Sequence, residues 1–150
     1  MIAETYQEYC TVMIAIEQAR EKFGMRIIAY NVLSNHFHFL LWPRRDSDLP
    51  RFMKWLTQVL AKRFHERRGT TGCGAVYQSR YGDRMLMEDR KFLTALRYVE
   101  ANARKHGFVH RAEEWPWCSA WRGDQLGPRV SIHDSPIRRP PNWIDFLNEI

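Results

Sequence analysis

Residues 25–42 read MRIIAYNVLSNHFHFLLW, and the folding of this stretch decides the architecture. Met25 to Val32 is a β-rich run, Leu33-Ser34-Asn35 is a short connection, and His36 to Trp42 is a second run that Pro43 ends. Two strands this close in sequence pair as an antiparallel hairpin. Side chains alternate along a strand, so His36 and His38 share one face while Phe37, Phe39 and Leu41 take the other. Two imidazoles about 7 Å apart along a strand can converge on one divalent cation, given a third ligand. The competing reading is a pair of ordinary strand histidines with hydrogen-bond partners. A bare His-x-His is too short to separate the two.

Working outward, residues 4–23 read as a helix, with Tyr6, Tyr9, Val12, Met13, Ile16 and Ala19 at three- and four-residue steps and Gly24 as its stop. Downstream, Asp46-Ser47-Asp48 opens a helix through about Arg68, whose buried stripe is Leu49, Phe52, Met53, Leu56, Leu60 and Phe64. GTTGCG (69–74) is a loop, and Val76 to Met87 contains a strand near Arg84 to Met87. Glu88-Asp89 begins a third helix to about Lys105, with Phe92, Leu93, Leu96, Val99 and Ala103 inward and Gly107 at its end. The order α-ββ-α-β-α predicts an α+β fold. With one more strand at the front it is the ferredoxin-like plan, a small antiparallel sheet with helices on one face. After Arg122, Gly123, Gly127, Pro128, Pro136, Pro140 and Pro141 predict an irregular tail over 123–150, whose last stretch, NWIDFLNEI, is suited to a short docked helix.

On a helical wheel Tyr98 lies roughly 140° from the centre of the third helix's apolar stripe. It shares its face with Lys91, Asn102 and Lys105, and Asn102 is its i+4 neighbour. A phenol is a poor nucleophile at its free pKa of about 10. A metal polarising a target phosphate helps, as does a nearby cation, here Lys91 or Lys105. The amide oxygen of Asn102 could complete a metal site. The plainer reading is a surface tyrosine packed on its neighbours.

The 150 residues suit one domain, and the hydrophobic content of 45% is enough for a core. The balance of 23 Lys and Arg against 17 Asp and Glu, net +6, suggests an acidic partner such as nucleic acid. Lys62, Arg63, Arg67 and Arg68, followed by Arg80 and Arg84, read either as a track for a phosphate backbone or as a solvated face at a helix end. Tyr77, Tyr81 and Trp121 could stack on unpaired bases or pack in the core. Cys10, Cys73 and Cys118 are odd in number and lack metal spacing, as expected of a reducing cytoplasm. No signal peptide or membrane span is legible. The His106/His110 pair is discounted as a metal site because Gly107 lies between them.

The runs AYNVLSNHFHFLLWP and RYVEANARKHGFV resemble the strand–turn–strand and tyrosine helix of the single-tyrosine HUH transposases, HUH standing for His, hydrophobic, His. VYQSRYGDRMLMEDRKFLTALRYVE and EEWPWCSAW keep that family's order of aromatic-Gln, strand, helix and tryptophan-rich segment. The resemblance spans roughly residues 10 to 122 and is nearest to the REP-associated tyrosine transposases. It implies His36, His38 and Asn102 as ligands of Mg²⁺ or Mn²⁺, and Tyr98 as the nucleophile that takes the 5′ side of the break. It implies a substrate of single-stranded DNA folded into hairpins, REP-like or insertion-sequence ends, and a monomer or homodimer acting in the cytoplasm.

Two departures accompany the resemblance. Ala103 stands where the family has a helix-ending Pro, and Arg104-Lys105-His106-Gly107 replaces a tighter run, so the helix is expected to lengthen. The family usually begins with a strand before the first helix, whereas here the helix comes first. The expectation is thus a domain over 1–122 that is truncated at its N-terminus and lacks the first strand. Two alternatives follow. One is a catalytically inactive single-stranded nucleic-acid-binding remnant of the same fold. The other is a metal-dependent phosphodiesterase with a water nucleophile, which would not need Tyr98.

Overall fold

The structure, a computed structural model, describes residues 2–69 and 89–149. The strand expected near Arg84 to Met87 and most of the loop before it lie outside the described residues. Helix α1 (Tyr6–Phe23) starts at Thr5, whose hydroxyl accepts the Glu8 backbone N–H, and stops at Gly24, whose φ of 58° is left-handed. Strands β1 (Arg26–Val32) and β2 (Phe37–Trp42) form the expected antiparallel hairpin. Helix α2 (Asp48–Arg68) follows. Beyond the undescribed stretch come α3 (Asp89–Glu100), α4 (Asn102–Lys105), a 3₁₀ turn at Ala112–Glu114 and α5 (Trp143–Leu147).

The fold is α+β, and both faces of the hairpin are covered. Ile27, Tyr30, Val32, Phe37, Phe39 and Leu41 pack with α1 and α2 around Met13, Ile16, Phe52 and Leu56. Ile28, Ala29 and Leu40 pack with α3 and α5 around Phe92, Leu96, Trp143 and Leu147. The two helices of the expected face are therefore joined by α3 on the opposite one. The reason is readable in β1, where every residue from Ile27 to Val32 is buried, the signature of a strand covered on both sides. A register shift between Ile27 and Ala29 marks a bulge. It lets Ile28 and Ala29 both serve the α3 side. Each fully buried Leu, Ile or Phe contributes about 1.5–3 kcal/mol.

The other edge of β1 is also occupied. Val32 N–H donates to the Trp117 carbonyl (2.9 Å), Ser119 N–H to the Tyr30 carbonyl (3.0 Å), and His133 N–H to the Ile27 carbonyl (2.7 Å). Asn31 and Cys118 form a β-bridge there. Trp117 then stacks on Tyr9 of α1, with ring centroids 5.1 Å apart and planes 3° from parallel. Trp115 meets the same tyrosine edge-on and donates its indole N–H to the Val32 carbonyl. The tail also joins both cores, through Val130 on the α1 side and Trp143 and Leu147 on the α3 side.

Candidate active site

The hairpin register places His38 opposite Asn31 and Phe37 opposite Val32. Directly paired residues share a face, so His38 points to the α3 side with Asn31. The strand begins at Phe37, so His36 stands in the turn just before it rather than on the strand. That turn is closed by a Leu33 N–H bond to the His36 carbonyl. The two imidazoles still meet, edge to face, with ring centroids 4.7 Å apart.

Helix α3 carries Tyr98 to the same place. Its ring is 50% exposed, 5.4 Å from the His38 ring and nearly perpendicular to it. The Lys105 ammonium lies 5.1 Å from the centre of the Tyr98 ring. The third helix is not continuous to Lys105 as expected. Ala101, at φ −90° and ψ 0°, interrupts it, and α4 resumes at Asn102. The Asn102 side chain is nonetheless brought inward and fully buried.

Burial and neighbouring positive groups hold the imidazoles of this cluster toward their neutral form. His36 Nδ1 donates to Asn35 Oδ1 at 2.5 Å, which leaves Nε2 with its lone pair. Burial, then the positive charges available to His36 and His106, push the His38 imidazole down to about 4. His36 is lowered by burial and by His106 in the same way. Both rings are therefore neutral at pH 7 and able to ligate. The Asn102 amide lies near enough to both rings to oppose these shifts. Yet among the described residues neither Asn102 Oδ1 nor Nδ2 completes a hydrogen bond, and His38 Nε2 is likewise buried without a partner there. Buried polar atoms left unsatisfied cost about 1–3 kcal/mol each and call for an explanation. Among the described residues no three His, Cys, Asp or Glu side chains stand close enough to hold a metal. The uncharged donors gathered at this point are two imidazoles and the Asn102 amide.

The structure thus brings together Tyr98, His36, His38, Asn102 and Lys105. Lys91 is exposed two turns earlier on α3. Lys62, Arg63 and Arg67 are on α2, which packs on the other face of the sheet. Lys62 lies 3.9 Å from Glu66, and Arg63 donates to Gln18 of α1 at 2.9 Å. Arg63 and Arg67 line a shallow depression with Glu8 and Thr11. Nothing is described of the Arg68 side chain, and Arg80, Arg84, Tyr77, Tyr81 and Cys73 lie outside the described residues. Trp121 donates its indole N–H to the Asp124 carbonyl.

Two residues of the site escaped the sequence. His106 stands with its ring centroid 5.6 Å from that of His36. Its neighbour in space is 70 residues away in the chain, a contact that the local spacing to His110 does not signal. Asn31 donates Nδ2 to the Val99 carbonyl at 2.9 Å, tying β1 to α3. Its signal was present, a lone amide in an otherwise apolar strand.

Comparison with known proteins finds a family and several relatives. The family model described as "Transposase IS200 like" matches residues 3–102. A REP-associated tyrosine transposase of Haemophilus influenzae is 26% identical over 116 residues, 72% of this chain and 66% of that protein. One from Escherichia coli K12 is 24% identical over 117 residues, 77% of this chain and 66% of that protein. The chain thus spans just under two thirds of the length of these curated relatives. The solved structure of a REP-associated tyrosine transposase bound to a REP hairpin superposes with a TM-score of 0.63 at 19% identity, covering 86% of this chain and 83% of that one. At that identity the likeness concerns the fold.

Proposed function

The chain belongs to the IS200-like transposases, and from that membership we propose that it cleaves and rejoins single-stranded hairpin DNA through a 5′-phosphotyrosine intermediate. The observation that carries the reading is the convergence of an exposed tyrosine, two neutral imidazoles and an unsatisfied buried amide from three separate elements. The Tyr98 phenol loses its proton to solvent as its oxygen bonds to phosphorus, and the bond from phosphorus to the 3′ oxygen breaks. That oxygen takes up a proton and leaves as a 3′ hydroxyl, while the 5′ phosphate stays on Tyr98. Attack by a 3′ hydroxyl reverses the step and frees the tyrosine, so joining needs no ATP. The Lys105 ammonium provides positive charge where the phosphate arrives. A divalent cation, Mg²⁺ or Mn²⁺, held by His36, His38 and Asn102, would polarise the scissile phosphate.

The substrate class follows the relatives, whose names and bound hairpin are those of REP-associated transposases. No helix among the described residues is long and apolar enough to cross a membrane, and cytoplasmic DNA is the proposed substrate pool.

The test is a covalent-adduct assay with single-stranded DNA from the flanking locus and Mn²⁺, resolved on a denaturing gel. The expected result is a DNA-linked protein band that disappears with EDTA and in Tyr98→Phe. Cleavage that survives Tyr98→Phe would establish a water nucleophile instead. Hairpin binding with no adduct in the wild type would leave a binding module.

A further inference from the structure

Glu100 is the charged residue with the deepest burial among those described on α3, at 1% exposure, and the reaction above does not use it. Its Oε1 accepts from Arg139 Nη2 at 2.6 Å and from Ser119 Oγ at 2.9 Å. Its Oε2 accepts from the Trp143 indole N–H at 2.7 Å. Arg139 also donates to the Ile28 carbonyl of β1 at 3.3 Å. The carboxylate is thus gripped from two parts of the C-terminal region and fully satisfied. A buried ion pair of this kind is a poor source of net stability, because desolvation offsets the attraction, but it fixes geometry.

The geometry it fixes is that of the nucleophile. Glu100 lies two residues after Tyr98 on α3, roughly 200° round the helix from it. An anchor on the inner side therefore sets the rotation of α3 that presents Tyr98 on the outer side. The interruption at Ala101 falls next to it, so the helix alone does not hold Tyr98 and Asn102 in register. Side chains from elsewhere support the peptides at this break. Asn31 binds the Val99 carbonyl, and the Cys118 thiol binds the Glu100 carbonyl at 3.5 Å.

We infer that Arg139 and Trp143 form a clasp on Glu100 that positions Tyr98 against His36, His38 and Asn102, making the tail part of the cleavage machinery rather than an appendage. The inference rests on the transposase reading, and Arg139, Trp143 and Glu100 are positioning residues in it, none touching DNA. Misplacing a reacting group by about 1 Å can cost about 100-fold in rate.

The test uses the full chain with Trp143→Phe, which removes the indole N–H, together with Arg139→Met and Arg139→Lys. Hydrogen exchange of the amides in 96–106 is measured first, with β1 and β2 as internal reference. Faster exchange in 96–106 alone is the expected result, and unchanged exchange there in all variants overturns the inference. Single-turnover adduct formation and DNA affinity are then measured well below each variant's melting temperature. The clasp predicts at least a tenfold loss of rate for Trp143→Phe with affinity within about twofold, and partial rescue in Arg139→Lys relative to Arg139→Met. Wild-type rates in Trp143→Phe and Arg139→Met would reduce the network to a fold-stabilising contact and overturn the inference. If the wild type itself forms no adduct, the transposase reading falls, and the exchange data alone judge the clasp. Should Arg139→Met fail to fold, Trp143→Phe carries the same decision.

Discussion

Among the described residues neither end of the Asn102 amide has a hydrogen-bond partner, although the side chain is fully buried next to two neutral imidazoles. If a cation is the missing partner, removing the amide should weaken metal binding without harming the fold. Asn102→Ala and His38→Ala are each expected to weaken Mn²⁺ binding, measured by calorimetry on the DNA-free protein, by at least about 10-fold, since even a residue that only supports a ligand is worth that much. Equal affinity in wild type and both variants would place the metal elsewhere. A second residue-scale test concerns Glu17. Burial pushes its carboxyl up, but the Arg20 guanidinium and the Ser131 backbone N–H outweigh this and hold it below the usual carboxylate range. A carboxyl lowered in the folded state adds stability above the unfolded pKa, near 4.3, and loses it as pH falls through the folded value. Glu17→Gln should therefore lower the urea midpoint at pH 7 but leave it little changed near pH 3. A constant difference at both pH values would rule this linkage out.

The short helix α4 ends in a way that depends on one residue. Gly107 has φ 79°, Phe108 N–H donates to the Ala103 carbonyl, and Gly107 N–H donates to the Arg104 carbonyl. This is the Schellman pattern, which favours glycine at the left-handed position. Gly107→Ala is expected to cost about 1 kcal/mol in denaturant unfolding, and an unchanged midpoint would mean that the turn rearranges freely. The loss of a helix-ending proline was expected to lengthen the tyrosine helix. Helical structure does run to Lys105, but through a break at Ala101 that no residue type in the sequence announces. The break follows from tertiary contacts that take hold of the Val99 and Glu100 carbonyls. The hairpin, by contrast, was legible to within a residue or two, because its two apolar runs and their short connection leave little choice of pairing.

At the scale of the molecule, the segment after Gly107 closes the structure. Trp117 lies flat on Tyr9 while its backbone pairs with β1, so one residue joins α1, the sheet and the C-terminal region. Trp117→Ala should destabilise the fold by about 3–5 kcal/mol in urea unfolding. A loss below 1 kcal/mol would show that the region docks independently of this contact. The sequence by itself determined the hairpin, the three long amphipathic helices and the candidacy of His36, His38, Tyr98 and Asn102. Those features follow from local periodicity and from motifs a few residues long. Only the tertiary structure decided that α3 covers the second face of β1, that His106 meets His36, and that a tail rich in proline reaches Glu100 through Arg139 and Trp143. These are contacts between residues 39 to 111 positions apart. Such contacts are set by which surfaces remain to be buried once the helices and hairpin have formed, and no local pattern encodes them.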